Sequence, residues 1–460
     1  MKENMANLEA ATDDVLKLIG NTPLLEVSGL DTAGSTLFLK LEQQNPGGSI
    51  KDRIGLSMIE AAERDGRLEP GMTLVEATAG NTGLALALVA ARKGYRLLLV
   101  MPDKMSQEKM SHLRAMGAEV RVTRSDVGKG HPEYYQDLAK RLAEELGGFY
   151  VNQFENPDNP RAHEATTGPE IWRQTEGRLD AVVCGVGSGG TITGLSRFFA
   201  KTAPEVEIVL ADPQGSVLAD YVKTGQVGQA GSWLVEGVGE DFVPAICDLS
   251  RVGKSYTIPD EESLVTARDL LRHEGILAGS STGMLVAAAL RYCREQKTPK
   301  RVVTFVCDSG NKYLSKMYND YWMRDQGFLR GETHGDLRDV IARKEGAVVS
   351  VAPDDTLLVA YSRMKLYDVS QLPVLEGDKI VGILDESDVL LTIHDDESAF
   401  RRKVRDSMTE KLVTVPRSAP LSSLFTLLDR GLVAIVCDGS TFLGLITRID
   451  VLNYLRRRMR

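Results

Sequence analysis

Long apolar runs, a signal-like N-terminus and blocks of basic residues are all missing from this sequence of 460 residues. No stretch reaches the ~20 apolar residues that a membrane-spanning helix requires, so we expect no membrane span. The first twenty residues lack an apolar segment, which argues against a secretory signal peptide. A net charge of −9 without any basic block makes nucleic acid an unfavourable partner.

Cysteine and histidine are also sparse, and neither is spaced for binding a metal ion. The six histidines show no ligand spacing, and the five cysteines form no Cys-x-x-Cys pair. We therefore expect no metal site, reduced and mostly buried thiols, and a cytoplasmic protein. The cysteines are Cys184, Cys247, Cys293, Cys307 and Cys437.

Strand-length apolar runs alternate with longer helical segments between about residues 35 and 310. Continuous apolar strands separated by helices are typical of a parallel sheet that is covered by helices on both faces. The sequence therefore predicts a doubly wound α/β fold for this part of the chain. The predicted strands are 36–42, 73–78, 96–102, 181–186, 207–212 and 301–308, and the clearest helices are 84–94 and 284–295.

The composition changes after residue 330, and an internal repeat follows. A polar segment at 331–339 is predicted to be a linker. Each copy of the repeat predicts the order strand, helix, strand, strand, helix, and neither copy is large enough to bury a core alone. We therefore expect the two copies to pack together as one α+β domain over 340–460. The repeats span about 340–395 and 404–458, with 348–364 echoed by 412–428 and 379–391 echoed by 441–453.

Three glycine-containing segments stand where a predicted strand meets a helix. In "NPGGSIKDR" (45–53), Lys51 is predicted in the first turn of a helix, where the partial positive charge lowers the pKa of an ammonium group. A lysine with a lowered pKa is suited to form a Schiff base. In "EATAGNTG" (76–83), threonine hydroxyls, an amide and free backbone N–H groups would suit a carboxylate.

The third segment, "CGVGSGGTITG" (184–194), forms a glycine-rich turn that suits a phosphate group. Its glycines also match the dinucleotide-binding pattern G-x-G-x-x-G, and Asp212 ends a strand about 20 residues later, where that pattern has a ribose-binding acid. A dehydrogenase of this kind would leave Lys51 and the second segment without a role. From the residues alone, this alternative stays open.

In order and spacing, the three segments resemble those of the pyridoxal-phosphate enzymes of the tryptophan-synthase β fold, also called fold type II. The resemblance is strongest to the cystathionine β-synthases and next strongest to the cysteine synthases. It covers about residues 12 to 328, and the repeat resembles the tandem CBS-domain (Bateman) module of the same enzymes. The resemblance implies a catalytic domain of two subdomains over 1–330. Supporting stretches are 20–27, 101–109, 152–163, 236–244 and 307–313.

The resemblance also implies a role for each matching residue. Lys51 would hold pyridoxal phosphate through its amine and would later remove the α-proton of the substrate. Asn81 would bond the ring oxygen of the cofactor. Ser309 would face the pyridine nitrogen, and a neutral hydroxyl there favours β-elimination over transamination. The phosphate would bind Gly187, Ser188, Gly189, Gly190 and Thr191, and the substrate carboxylate would bind Thr78, Gly80, Thr82 and Gln153.

Several of these residues have an ordinary structural alternative. Thr78, Asn81, Thr82 and Ser309 stand where such residues cap helices or form turns, and capping remains the alternative for each. Arg53 is expected to be a structural ion-pair partner rather than a ligand.

The chain departs from the family pattern in three places. Ala79 stands where the family often has serine, and Phe154 stands where some members have tyrosine, so two hydroxyls near the substrate and cofactor are missing. Animal cystathionine β-synthases bind haem through an N-terminal Cys and His, whereas the first such residues here are Cys184 and His112. We therefore expect no haem. Glu240 lies near the expected mouth of the site and could bind the ammonium group of homocysteine, although a solvated acidic loop explains it equally well.

In the second repeat, "GLITRID" (444–450) places Thr447 and Asp450 at a strand-to-helix junction. In related modules such a pair binds the ribose hydroxyls of an adenosyl ligand, which would be S-adenosylmethionine or an adenine nucleotide. A module that binds no ligand and only stabilises the oligomer is the other interpretation. Helix capping is the alternative for both residues. Asp385 and Asp388 occupy the matching positions of the first repeat and form a less suitable, more acidic site.

The implied function is a pyridoxal-phosphate-dependent β-replacement that joins L-serine and L-homocysteine into cystathionine, with hydrogen sulfide as a side product from cysteine. One alternative is a cysteine synthase that uses O-acetylserine and sulfide. A second is an adenosyl-nucleotide sensor with a vestigial catalytic domain. The expected partners are small amino-acid substrates and further copies of the chain, because enzymes of this fold are usually homodimers or larger, here a homodimer or homotetramer.

Overall fold

The structure is a computed structural model that describes residues 11–78, 80–103, 107–128, 130–329, 336–341, 349–394 and 397–458. Its contacts divide the chain into two compact units between Met317 and Tyr318. No helix of the described ranges is long and apolar enough to cross a membrane. Within the same ranges, no cluster of three or more His, Cys, Asp or Glu side chains is suited to hold a metal ion.

Ten strands in the described part of the N-terminal unit form two sheets. They are β1 (Leu24–Glu26), β2 (Thr36–Lys40), β3 (Thr73–Ala77), β4 (Arg96–Pro102), β5 (Glu119–Thr123), β6 (Phe149–Tyr150), β7 (Ala181–Gly185), β8 (Glu207–Pro213), β9 (Val252–Ile258) and β10 (Arg301–Phe305). The larger sheet has the order β1-β2-β10-β7-β8-β9, and the smaller sheet has the order β5-β4-β3-β6. All neighbours pair in parallel except the edge strand β1, which is antiparallel to β2.

Helices connect these strands, as parallel pairing requires. They are α1 (Lys51–Arg64), α2 (Asn81–Lys93), α3 (Gln107–Ala115), α4 (Tyr135–Glu145), α5 (Asp158–Ala162), α6 (Gly168–Gln174), α7 (Gly190–Thr202), α8 (Leu218–Thr224), α9 (Asp260–Glu274) and α10 (Ser280–Arg294). A π-helix, His163–Thr167, joins α5 to α6.

The central strands are buried along almost their whole length because both faces of each sheet are covered. In β4, Leu97 and Leu99 belong to an apolar cluster with α1 and α2, whereas Leu98 and Val100 belong to a cluster with α4. Successive side chains of a strand point to opposite faces, so the alternation shows helices on both sides. The predicted doubly wound α/β fold is confirmed, and each of the six predicted strands is present.

The C-terminal unit contains both sequence repeats, and each repeat has the predicted order of elements. Its elements are α11 (Asp320–Asp325), α12 (Arg338–Ile341), α13 (Leu357–Tyr367), β11 (Gln371–Glu376), β12 (Lys379–Asp385), α14 (Glu386–Ile393), β13 (Thr414–Pro416), α15 (Ser422–Asp429), β14 (Ala434–Asp438), β15 (Thr441–Ile446) and α16 (Arg448–Arg458). The first strand of the first repeat is reduced to one bridge between Val351 and Val374.

The two repeats share buried contacts and therefore form one domain. Ile380 of the first repeat packs in one apolar cluster with Ile435 and Leu445 of the second. Leu337, which the sequence places in the linker, is fully buried in the core of the second repeat together with Val340. The segment before the first repeat thus contributes to the core of the second.

Candidate active site

Several segments of the N-terminal unit meet at one cavity of about 600 Å³, which we call the first cavity. Five of them follow the carboxyl ends of β2, β3, β6, β7 and β10, where open α/β sheets bind ligands. Most of the predicted site residues are thereby brought together. Those lining the cavity are Lys51, Thr78, Gly80, Asn81, Thr82, Gln153, Gly187, Ser188, Gly189, Gly190, Thr191 and Glu240.

Lys51 is the first residue of α1, as predicted, and its side chain lines the first cavity. Burial of the amine lowers its pKa, while the nearby Cys307, Asp308 and Glu240 act in the opposite direction. Desolvation is therefore the main cause of the shift, whereas the sequence suggested the helix terminus. A lysine with a lowered pKa is neutral more often and is a better nucleophile and base.

The loop between β3 and α2 and the segment after β6 bring together the residues predicted to bind the substrate carboxylate. Thr82 Oγ1 donates a hydrogen bond to Gln153 Oε1 at 2.7 Å, and Gly80 N donates to Thr78 Oγ1 at 3.3 Å. The loop leads into the N-terminus of α2, where backbone N–H groups lack helical partners and suit an anion. Ala79 lies outside the described residues.

A buried carboxyl group, which the sequence analysis did not single out, holds this loop. Glu76 accepts hydrogen bonds from Ala77 N at 2.7 Å and from Gln153 N at 3.1 Å. Burial raises the pKa of Glu76 to about 7, against the effect of these bonds. Glu76 therefore fixes Gln153 relative to the end of β3. An acid inside the apolar strand "TLVEA" is the only sequence signal of this role.

The turn between β7 and α7 requires glycine at three positions. Gly189 has a φ of +90°, which L side chains rarely adopt. A Cβ atom on Gly190 would lie 1.8 Å from Asn159 Oδ1, and one on Gly187 would lie 2.7 Å from Gly237 O. The turn therefore presents bare backbone at the N-terminus of α7, which begins at Gly190. This arrangement fits the phosphate group of a cofactor.

Asn159 links the turn between β7 and α7 to the segment after β6. Its Nδ2 donates to Ser188 Oγ at 2.9 Å and to Gln153 O at 2.8 Å. Its Oδ1 is buried and has no hydrogen-bond partner among the described residues. No local pattern indicates this role, apart from the family-like stretch that contains Asn159.

The π-helix supports the same turn through a histidine. His163 Nε2 lies 3.2 Å from Thr191 Oγ1, and Nδ1 lies 2.9 Å from Thr167 Oγ1. Burial, together with the positive charges of Arg53 and Lys51, holds the pKa of His163 well below its usual value, so the ring is neutral. π-helices occur frequently at functional sites, and this one places a neutral imidazole against Thr191.

Arg53 lies in a buried ion-pair network next to Lys51. Its Nε is 2.7 Å from Glu42 Oε2, and its Nη2 is 2.7 Å from Glu170 Oε2. Lys40 Nζ also contacts Glu170, at 2.7 Å. Although burial raises the pKa of Glu170, Arg53 and Lys40 hold it at about 2. The structural ion pair that the sequence predicted for Arg53 is confirmed.

Asn81, the predicted partner of the cofactor ring oxygen, contacts two protein groups at the edge of the first cavity. Its Nδ2 donates to Asp308 Oδ2 at 2.9 Å, and its Oδ1 accepts from Lys312 Nζ at 2.5 Å. Asp308 is almost fully buried, and burial raises its pKa. The amide is therefore held in a fixed orientation on the cavity wall.

Ser309, the predicted partner of the pyridine nitrogen, takes its alternative role as a cap. Its Oγ accepts from Asn311 N at 3.3 Å at the start of a short 3₁₀ turn. The described residues that line the first cavity include Ser281 and Cys307 but not Ser309. Ser281 is a hydroxyl that the sequence analysis missed, because it stands at the N-terminus of α10, far from the three motifs.

Asp212, the acid of the dehydrogenase alternative, is turned into the protein. It is fully buried, and its Oδ2 accepts from Ala219 N at 2.8 Å. The described lining of the first cavity does not include it. A buried carboxyl that binds a helix backbone is unsuited to bind a ribose hydroxyl.

Glu240 lines the first cavity and a neighbouring one. Burial, together with Asp241 and Asp212, raises the pKa of Glu240 to about 8, against the effect of Lys51. Its backbone is fixed, because Glu240 N donates to Ser216 Oγ at 3.1 Å. A cation placed next to this carboxyl group would favour its ionised form.

Comparison with known proteins agrees with this geometry. The profile of the pyridoxal-phosphate dependent enzymes matches residues 15–308, and that of the CBS domain matches 337–395 and 404–457. A cystathionine beta-synthase of Dictyostelium discoideum is 35% identical over 97% of this chain and 92% of its own length. The chain belongs to the cystathionine beta-synthase family. A Saccharomyces cerevisiae member is 34% identical over 96% of this chain and 97% of its own.

A solved structure also resembles a large part of this family member. A hydrogen sulfide-producing enzyme from Fusobacterium nucleatum matches with a TM-score of 0.60 and 36% identity over 66% of this chain and all of its own. The predicted family, the fold type II catalytic part and the tandem CBS domains are thus confirmed, and pyridoxal phosphate is the cofactor of the family.

In the tandem CBS unit of this family member, Thr447 and Asp450 line a cavity of about 880 Å³. Thr447 donates from Oγ1 at 2.6 Å and from its backbone N at 2.7 Å to Asp450 Oδ2. The matching Asp385 and Asp388 cap α14 by binding each other's backbone N–H groups at 2.9 and 3.0 Å. The described lining of this cavity includes only the pair from the second repeat.

Proposed function

We propose that this chain replaces the β-hydroxyl of L-serine with the sulfur of L-homocysteine, which gives cystathionine and water. The observation that carries the proposal is the first cavity, in which a lysine with a lowered pKa lies with the loop between β3 and α2, which suits a carboxylate, and the turn between β7 and α7, which suits a phosphate. A protein that only senses a nucleotide has no use for this arrangement.

Pyridoxal phosphate, when bound, withdraws electrons from the α-carbon of an attached amino acid and so makes its proton removable. The backbone of the turn between β7 and α7 would hold its phosphate group, with Thr191 fixed by His163. Asn81 would contact its ring oxygen, and Lys51 would hold it through Nζ. Because Ser309 caps a turn and is not part of the described lining, we propose Ser281, which lines the first cavity, as the partner of the pyridine nitrogen.

The chain's own residues then orient the amino acid and move its protons. Thr78, Gly80, Thr82 and Gln153 would bind the carboxylate of L-serine at the N-terminus of α2, where the anion is favoured. This contact fixes the α-carbon near Lys51. The neutral Nζ of Lys51 takes the α-proton and, as an ammonium group, returns a proton at a later step.

A paired product assay tests this function. Purified protein with bound pyridoxal phosphate is given L-serine and homocysteine in one reaction, and O-acetylserine and sulfide in another. We expect faster formation of cystathionine than of cysteine, measured by mass spectrometry. Faster formation of cysteine would show a cysteine synthase that carries a CBS module.

L-cysteine is a second donor for the same site. If L-cysteine replaces L-serine, the leaving group is hydrogen sulfide instead of water, and cystathionine is again the product. The similarity to a hydrogen sulfide-producing enzyme supports this side reaction. Sulfide release from L-cysteine and homocysteine without a matching amount of cystathionine would contradict it.

We further propose that the 880 Å³ cavity of the C-terminal unit binds an adenosyl ligand through Thr447 and Asp450. Asp450 is nearly buried, so its carboxylate can bind two ribose hydroxyls without competition from bulk water. Calorimetric titration of the full chain with S-adenosylmethionine and with AMP should show binding that Asp450→Ala weakens at least tenfold. Asp388→Ala, in the first repeat, is the matched control. If both variants bind these ligands equally well, the assignment is contradicted.

We also propose a homodimer or homotetramer, and no bound haem. The helices of the C-terminal unit leave large apolar side chains in water, of which Leu366 and Leu391 are each 76% exposed. Exposed apolar surface of this kind is typical of interaction sites, and a second copy of the chain would cover it. Light scattering that gives the monomer mass would contradict the oligomer. A haem absorbance band that rises in proportion to the protein concentration would contradict the expected absence of haem.

A further inference from the structure

A second cavity of about 600 Å³ adjoins the first, and the two share Phe154 and Glu240 as walls. Two segments of the chain form the partition. In the segment after β6, Gln153 lines the first cavity and Asn152 and Glu155 line the second. The other segment runs through Glu240, with Gly239 on the first side and Asp241 on the second. The second cavity is further lined by Arg124, Tyr134, Tyr135, Gln136 and Phe242.

The proposed reaction requires places for two amino acids. The first cavity offers one carboxylate loop, which L-serine would occupy. Homocysteine carries its own carboxylate and ammonium groups, and burying either without a partner is costly. Hydrogen sulfide, the acceptor of a cysteine synthase, would need no such partners. A second cavity that can bind an amino-acid end would therefore favour homocysteine over hydrogen sulfide as the acceptor.

The lining of the second cavity suits the amino-acid end of such an acceptor. Phe154 and Phe242 form an apolar pair with ring centroids 5.8 Å apart, against which methylene groups can pack. Glu240 at the partition and the exposed Asp241 at the rim are acceptors for an ammonium group. Arg124 supplies a positive charge, although Asp126 already binds its Nε at 2.8 Å.

The amide and phenol groups on the opposite wall are already ordered. Gln136 Nε2 donates to Tyr135 Oη at 3.0 Å, and the rings of Tyr134 and Tyr135 meet edge to face at 4.9 Å. Polar groups that are fixed before binding lose little entropy when a ligand arrives. They can thus complete the hydrogen bonds of a small zwitterion.

We propose that the second cavity binds the amino and carboxylate groups of the acceptor amino-acid thiol, whose sulfur then reaches past Phe154 and Glu240 into the first cavity. This inference rests on the proposed β-replacement and names the site of its second substrate. The thiol of homocysteine is two methylene groups away from its α-carbon, so the charged end stays outside the partition when the sulfur is inside.

The test compares two acceptor thiols on the full-length protein with bound pyridoxal phosphate and saturating L-serine. Homocysteine has the amino-acid end, and 2-mercaptoethanol has a thiol without it. In Asp241→Asn and in Arg124→Gln we expect kcat/KM for homocysteine to fall at least fivefold, mainly through KM. For 2-mercaptoethanol we expect a change of less than twofold, and Glu205→Gln, an exposed acid outside both cavities, should change neither value.

An equal fall for both thiols would overturn the inference, because the variants would then have disturbed the first cavity instead. Unchanged kinetics with homocysteine in both variants would overturn it as well. The exchange of the α-proton of L-serine with deuterium, measured without any thiol, should be unaffected in all variants. If the unmodified chain makes no cystathionine at all, the proposed function itself fails, and this inference fails with it.

Discussion

Replacing Lys51 with alanine is expected to reduce the rate of cystathionine formation by a factor of about 10² to 10⁴ or more, because the variant loses the base that removes the α-proton. The rate is measured with saturating L-serine and homocysteine in the presence of added pyridoxal phosphate. The fold should persist, because Lys51 lines a cavity and its removal breaks no buried ion pair. Circular dichroism of the variant checks this point.

Lys17→Ala is the matched control for this variant, since Lys17 is exposed and, in the described part of the chain, pairs with the exposed Asp13. It should retain the full rate. A small added amine such as methylamine should restore part of the activity of Lys51→Ala by taking the place of the missing side chain. A Lys51→Ala protein with more than a tenth of the normal rate would show that another group removes the proton.

The second large effect concerns stability. Arg53→Met should lower the free energy of unfolding of the N-terminal unit by about 3–5 kcal/mol, because it leaves Glu42 and Glu170 buried with one cation fewer. Urea unfolding followed through the absorbance of the bound cofactor reports on this unit alone. The stability of Arg53→Lys should lie between that of the unmodified protein and that of Arg53→Met, because an ammonium group keeps the charge but cannot bind both carboxylates in the same way.

Arg92→Met provides the control for the ion-pair network. Arg92 is half exposed and pairs with Asp14 on the surface, so its loss should cost less than about 1 kcal/mol. If Arg53→Met is no less stable than Arg92→Met, the buried network does not stabilise the segment that carries Lys51. The position of Lys51 would then depend on α1 alone.

The sequence predicted the central strands well because their burial on both faces leaves a continuous apolar run. The strands at the sheet edges were missed because partial exposure leaves them without such an apolar run. β5 is largely exposed and β9 alternates between buried and exposed residues, so neither forms an apolar run. β6 has only two residues and depends on its pairing with β3, which no local pattern shows.

The candidate site could be predicted where its chemistry is local in sequence. Lys51 and the two glycine-containing loops each combine a special backbone conformation with a special side chain within ten residues. Glu76, Asn159 and His163 could not be found in this way, because each acts by contacting a loop that is distant along the chain. Apart from Ser309, the predicted residues of the N-terminal unit meet at one cavity, whereas their individual roles remain predictions.

Lys51 shows how a correct prediction can rest on an incomplete cause. The sequence placed it at a helix N-terminus, and the helix does begin there. The pKa is nevertheless lowered mainly by burial, which depends on the walls that other segments build around the amine. The direction of the shift could be predicted, but its main cause required the fold.

Lys51, and no other lysine near the first cavity, is the residue that we expect to carry the cofactor. Borohydride reduction of the purified protein turns the bond between pyridoxal phosphate and its lysine into a stable amine, and peptide mass spectrometry then locates the added mass. We expect the added mass on Lys51. Two other lysines are close: Lys312 contacts Asn81, and Lys316 lines the first cavity. The added mass on either of them would contradict the assignment of the cofactor to Lys51.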